Sequence, residues 1–120
     1  MNDLRLVRAA ALAVLVAACS APSQTRQSND AEIAAMMPLK RQYSDVVMGF
    51  DVHPQTTLIV SVDLQQYIET DDETIAAIRR SALARWRAAW VAAHPRQHAV
   101  LQVRFIDFIG RKVATESTKV

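Results

Sequence analysis

The chain has 120 residues, 51% of them hydrophobic, with a formal net charge of +2, one cysteine and only two glycines. That length provides for one domain with a modest core. So small a charge offers no cation excess to condense on phosphates, which excludes nucleic acid as an expected partner. Two glycines are too few for the phosphate-cradling loops of nucleotide-binding proteins.

Arg5 and Arg8 make a short basic start, and Ala9 to Ala18 is an unbroken run of Ala, Leu and Val. This is the order of an export signal. About ten apolar residues span roughly 15 Å as a helix, half the hydrocarbon thickness of a bilayer, so a transmembrane anchor is not predicted. The tetrad Val16-Ala17-Ala18-Cys19 resembles the lipobox of bacterial lipoproteins, with Val where that family most often has Leu. The resemblance ends at residue 20 and identifies a processing class, not a fold. It implies cleavage before Cys19, acylation of its thiol with palmitate and other chains, and attachment to a membrane of the bacterial cell envelope. Ser20 in place of Asp implies the outer membrane, on its periplasmic side. Each buried methylene contributes about 0.8 kcal/mol, so several acyl chains make a lasting anchor. A lone exported thiol has no disulfide partner in its own chain, and lipidation accounts for it. With the signal, residues 1–18, go Arg5, Arg8 and Asp3, leaving 12 basic against 11 acidic side chains.

Residues 20 to 29 are polar and aperiodic, unable to bury enough apolar area to offset the entropy of ordering. Residues 19–42 therefore read as the lipidated cysteine and a flexible tether. Within it, Asp30 is placed to cap a short helix to Met37 that Pro38 would stop. Residues 43–120 read as the folded domain.

Val46, Met48, Phe50 and Val52 alternate with Val47, Gly49, Asp51 and His53, and Leu58, Val60, Val62 and Leu64 alternate with Ile59, Ser61, Asp63 and Gln65. These predict two strands, each with one buried face, joined as a hairpin across Pro54-Gln55-Thr56. Thr70-Asp71-Asp72-Glu73 fits a capping box opening a helix. Ile75, Ile78, Ala82, Trp86, Ala89, Trp90 and Ala93 fall on one side of that helix, which Pro95 stops near Ala93. Ala99, Leu101, Val103 and Phe105 predict a third strand. Gly110 allows a turn over Asp107 to Arg111, and residues 112–119 predict a fourth strand. The fold class expected is α+β: two layers, an antiparallel sheet of about four strands in ββαββ order, covered on one face by one long helix.

Trp86 and Trp90 lie one helical turn apart with Arg79 at a similar angle, as a cation cage would require. As the main anchors of a small core they need no ligand. His94 and His98 have a ligand-like separation broken by Pro95, and with His53 they form no motif of three or four metal ligands, so no metal is expected. Asp63 and Asp107 would act as paired acids only if folding joined them in a cleft. On a sheet surface and in a turn they would be solvated. Glu69 to Glu73 lacks the spaced oxygens and central Gly of a calcium loop. No serine sits in a recognisable nucleophile turn. These residues predict no catalytic group and no cofactor. The expected function is that of a membrane-anchored, non-enzymatic interaction or structural module with an envelope protein partner. The alternatives are a small envelope hydrolase, using Asp63, Asp107 or a histidine, or a binder of metal or small ligands through His94 and His98. The sheet side bearing Ile59, Asp63, Arg104 and Ile106 mixes aliphatic residues with both signs of charge and is the expected partner surface.

Overall fold

A computed structural model describes residues 29–120. The expected signal, Cys19 and the tether up to residue 28 lie outside the described residues.

Helix α1 occupies residues 29–42 and passes through Pro38, where a stop was expected. Pro38 cannot donate to the carbonyl of Ala34, but Ala34 is exposed and water can take the missing partner's place. Met36 and Leu39 on either side are fully buried, and their burial offsets the lost bond. The folded unit thus begins within the stretch that composition assigned to the tether.

Strands β1 (Val47–Val52) and β2 (Thr57–Val62) form the expected antiparallel hairpin. A bulge between Val47 and Gly49 changes the phase of β1. One extra residue reverses every side chain before it, so Val47 faces the core and Met48 faces solvent at 52% exposure. Strict alternation placed these two the other way round. Strand β2 stops at Val62 because Asp63 caps the short helix α2 (Leu64–Glu69), its carboxylate accepting from the Gln66 N–H at 3.0 Å.

Helix α3 (Asp72–Ala93) starts one residue later than the capping box implied. Asp71 is its cap, accepting from the Thr74 N–H at 2.9 Å and from the Thr74 hydroxyl. Thr70 instead closes α2, its hydroxyl donating to the Gln66 carbonyl at 2.6 Å. An Asp competes successfully for the cap position because its oxygen reaches the N3 amide with a full charge.

The 22 residues of α3 span about 33 Å and carry the chain back along the sheet. Strand β3 (Val100–Ile106) therefore starts at the end where β2 starts, and the two pair in parallel, Leu58 opposite Val103 and Val60 opposite Phe105. Strand β4 (Lys112–Lys119) pairs antiparallel with β3. The sheet is thus mixed, in the order β1-β2-β3-β4, where an all-antiparallel sheet was expected. A long helix between two neighbouring strands is a crossover, and a crossover requires parallel pairing.

Leu58, Val60, Val62, Leu101, Val103 and Phe105 form the inner face, packed with Ile78, Ala82, Trp86 and Trp90 of α3 and with Met36 and Leu39 of α1. Two helices cover this face rather than one. They run antiparallel: Glu32 meets His94 at the end of α3, while Gln42 to Val46 share a groove with Thr74 at its start.

Candidate functional site

The helices leave the opposite side of the sheet uncovered among the described residues. Asp51 lies opposite Ile59, Ile59 opposite Arg104, and Arg104 opposite Thr115, one continuous row across all four strands. A second row joins Gly49, Ser61 and Ile106 beside the outward-facing Met48. Ile59, Arg104 and Ile106 therefore share one face. Asp63 does not join them, because the β-to-α2 transition turns its carboxylate onto the α2 backbone.

This face runs into the β3–β4 turn, which Asp107 organises. Its carboxylate is buried and accepts from the N–H groups of Ile109 and Arg111 at 3.1 and 2.9 Å and from Arg111 Nε at 2.8 Å. Burial pushes this carboxyl up, yet the Arg111 and Ile109 donors outweigh it and hold it below the usual aspartate value. A solvated Asp107 was expected; the turn encloses it because three donors converge on it. Gly110, at φ 88°, closes the turn. So fixed, the turn exposes Phe108 at 89% and Ile109 at 60%, beside the exposed Arg111 and Lys112. Met48, Ile68, Phe108 and Ile109, four of the six large apolar side chains exposed among the described residues, all lie at the end where β2 and β3 finish. Alternation along the strands could not reveal this, since Phe108 and Ile109 stand in a turn and Ile68 in the short helix α2, which lies between the expected second strand and the expected capping box.

Trp86 and Trp90 are buried, and Arg79 is paired with Glu116 of β4. Trp86 Nε1 donates to the Thr56 carbonyl at 3.3 Å, which ties α3 to the β1–β2 loop. Neither indole is open to a cation from solvent. Asp63 and Asp107 stand at the ends of adjacent parallel strands, but each is engaged by its own local donors. Glu69 ends α2, accepting from Gln65 Nε2, while Asp71 caps α3 and Asp72 and Glu73 lie in its exposed first turn.

The histidines take separate roles. His53 is exposed in the β1–β2 loop, and His98 Nδ1 lies 3.2 Å from the Val120 carbonyl. His94 ends α3 with its ring stacked on Trp90, centroids 4.5 Å apart. Its Nδ1 is 3.0 Å from the Trp90 carbonyl and 3.5 Å from Oε1 of Glu32. A carbonyl only accepts, so Nδ1 carries a proton. Among the described residues, no three metal-ligating side chains gather, and no helix is long and apolar enough to cross a membrane.

Glu32 was missed in the sequence because it sits in a stretch that read as tether. Its side chain is 1% exposed, and neither carboxylate oxygen has a hydrogen-bond partner. Burial pushes its carboxyl above the usual glutamate value against the opposing pull of His94. The Trp90 indole N–H is buried and unpartnered as well.

The fold defines an α+β protein in which two helices cover one side of a mixed four-stranded sheet. Comparison with protein-family models, with curated proteins and with solved structures finds no match for this chain.

Proposed function

We propose that this protein is a lipid-anchored lipoprotein of the bacterial envelope whose α+β body is a non-enzymatic interaction module. Lipid on Cys19 holds it at the outer membrane, facing the periplasm, and the uncovered sheet face receives an envelope protein. The observation supporting the binding part is that face itself: Ile59, Arg104 and Ile106 in adjoining rows, continuous with Met48 and with a turn that Asp107 stiffens around Phe108 and Ile109. A rigid apolar projection next to mixed charge loses little entropy on contact and carries its own specificity. The lipobox-like Val16-Ala17-Ala18-Cys19 supports the anchor.

Two experiments test the two parts. Cys19→Ala should abolish palmitate incorporation while the circular dichroism of the body stays unchanged; equal labelling of both forms would remove the anchor. The pair Ile59→Lys and Ile106→Glu, in a protein with an unaltered spectrum, should lower recovery of partners crosslinked in the native membrane at least tenfold. Undiminished recovery would return attention to the arginine side of α3.

A further inference from the structure

Strand β4 is an edge of the sheet, with no neighbour on its outer side among the described residues. Ala99 and Val120 exchange both of their backbone bonds, and in an antiparallel ladder such pairs alternate with pairs whose N–H and C=O groups point apart. Thr118, Glu116 and Ala114 therefore bond to β3, while Lys119, Ser117 and Thr115 turn their backbone groups outward. Gln102, which lies opposite Ser117, agrees: its N–H turns the other way, to the Thr56 carbonyl on the β2 side at 3.1 Å. The outer edge of β4 is thus a regular row of free donors and acceptors, and Thr115, Ser117 and Lys119 are all exposed. The other edge of the sheet is closed. Strand β1 carries the bulge at Met48, and its Val52 N–H is taken by the Asp51 carboxylate at 2.9 Å. Proteins blunt exposed edges in such ways, and an edge left regular is a template for another strand.

We propose that β4 pairs with β4 of a second copy of this chain, antiparallel about a two-fold axis at Ser117, joining two four-stranded sheets into one. Ser117 then lies opposite the partner's Ser117 and Thr115 opposite the partner's Lys119, each pair exchanging both of its bonds. The neighbouring registers fit less well. An axis at Thr115 needs Val113, the extra residue of the bulge beside Phe105 and Ile106. An axis at Glu116 sets two carboxylates directly opposite each other, which is destabilising. The helical layer favours a second copy over a foreign strand. Helix α3 lies over β3 and β4, so its copy stands two strand spacings away, about 10 Å, the distance at which helices pack. A groove of about 350 Å³ flanks α3 on that side, lined by Ala76, Arg79, Arg80, Leu83 and Glu116. The partner's helix closes it over Ala76 and Leu83, while the exposed Arg80 keeps its charge in water. A foreign strand would satisfy the edge and leave this groove open. On the reading that the outer sheet face receives a protein, on which this consequence alone rests, the pair presents two such faces side by side.

The test is sedimentation equilibrium of the full chain carrying Cys19→Ala, so that neither acyl chains nor a disulfide joins two copies. The mass should rise from 13.3 kDa to twice that value between about 1 µM and about 1 mM. Over the same range, hydrogen exchange of the Thr115, Ser117 and Lys119 amides should slow at least tenfold more than that of Glu116 and Thr118, which already bond to β3. Ser117→Pro removes an N–H that no bond within the chain uses, and should leave a folded monomer. Thr115→Glu, set against the partner's Lys119, should tighten the pair about tenfold, and Thr115→Lys should loosen it by as much, since each charge acts twice. A 13.3 kDa species at every concentration would overturn the pairing and leave the edge to a foreign strand. A pair that survives Ser117→Pro, as one held through Phe108 and Ile109 would, also overturns it, as does equal strength in the two Thr115 variants. No readout needs an envelope protein, so failure to capture one would strike the sheet-face reading and leave the pairing to its own result.

Discussion

Single side chains settle most of what is unusual in this molecule, and they do so by competing for backbone donors. Asp107 is buried yet ionised because the Ile109 and Arg111 amides and the Arg111 guanidinium supply the solvation that water would have given. Asp107→Ala should free the turn, and exchange of the Ile109 and Arg111 amides should accelerate at least tenfold without global unfolding. Trp86 and Trp90 fill the space between α3 and the sheet, and Trp86 is fully buried. Replacing Trp86 with Ala should cost about 3–5 kcal/mol, a large part of the about 5–15 kcal/mol available to a domain. Urea denaturation would measure it, and an unchanged midpoint would contradict the assigned packing.

At the level of elements, chain geometry decided where helices begin and end more than propensity did. Helix α1 tolerates Pro38 because the orphaned carbonyl of Ala34 faces solvent. Pro38→Ala should restore that bond and relieve the clash of the ring with the preceding turn, raising stability by about 1–2 kcal/mol after allowance for the freer unfolded chain. A fall in the thermal midpoint would show instead that the Pro38 ring contributes to the packing around Met36 and Leu39. In the β3–β4 hairpin, Gly110 adopts φ 88° with open space around it, so Gly110→Ala meets no clash and its cost is purely conformational, about 1–2 kcal/mol.

For the whole molecule, the titrating groups oppose one another. Asp71 and Asp107 have folded values below the ordinary 3.8, Asp71 chiefly through its bonds from Thr74. Their stabilisation is fully present above that value and is lost as pH falls through their depressed values. Glu32 is raised above 4.5. The folded state then binds its proton more tightly, and stability declines as pH rises from 4.5 through the raised value. Stability should therefore peak in mild acid. Glu32→Gln should remove the alkaline decline and leave the acid limb unchanged, as thermal midpoints from pH 3 to pH 9 would show. Midpoints rising steadily from pH 5 to pH 8 would contradict this.

The sequence alone determined the α+β class, both hairpins, the extent of α3 and the burial of its tryptophans, because period 2, period 3.6 and the Pro and Gly positions are local properties. It also carried the lipobox resemblance, which rests on consecutive residues. Only the tertiary structure decided the parallel pairing of β2 with β3, since that depends on where the far end of a 22-residue helix delivers the chain. The bulge at Met48 needed the partner strand to define it, and α1 needed the core to make its Pro38 tolerable. The sheet face was half legible: Ile59, Arg104 and Ile106 followed from alternation, whereas Asp63 left that face because its backbone had already begun a helix. Glu32 and His94 lie 62 positions apart in the chain, and no pattern in the sequence joins them; the antiparallel course of α1 and α3 brings them together because both helices must cover the same side of one small sheet.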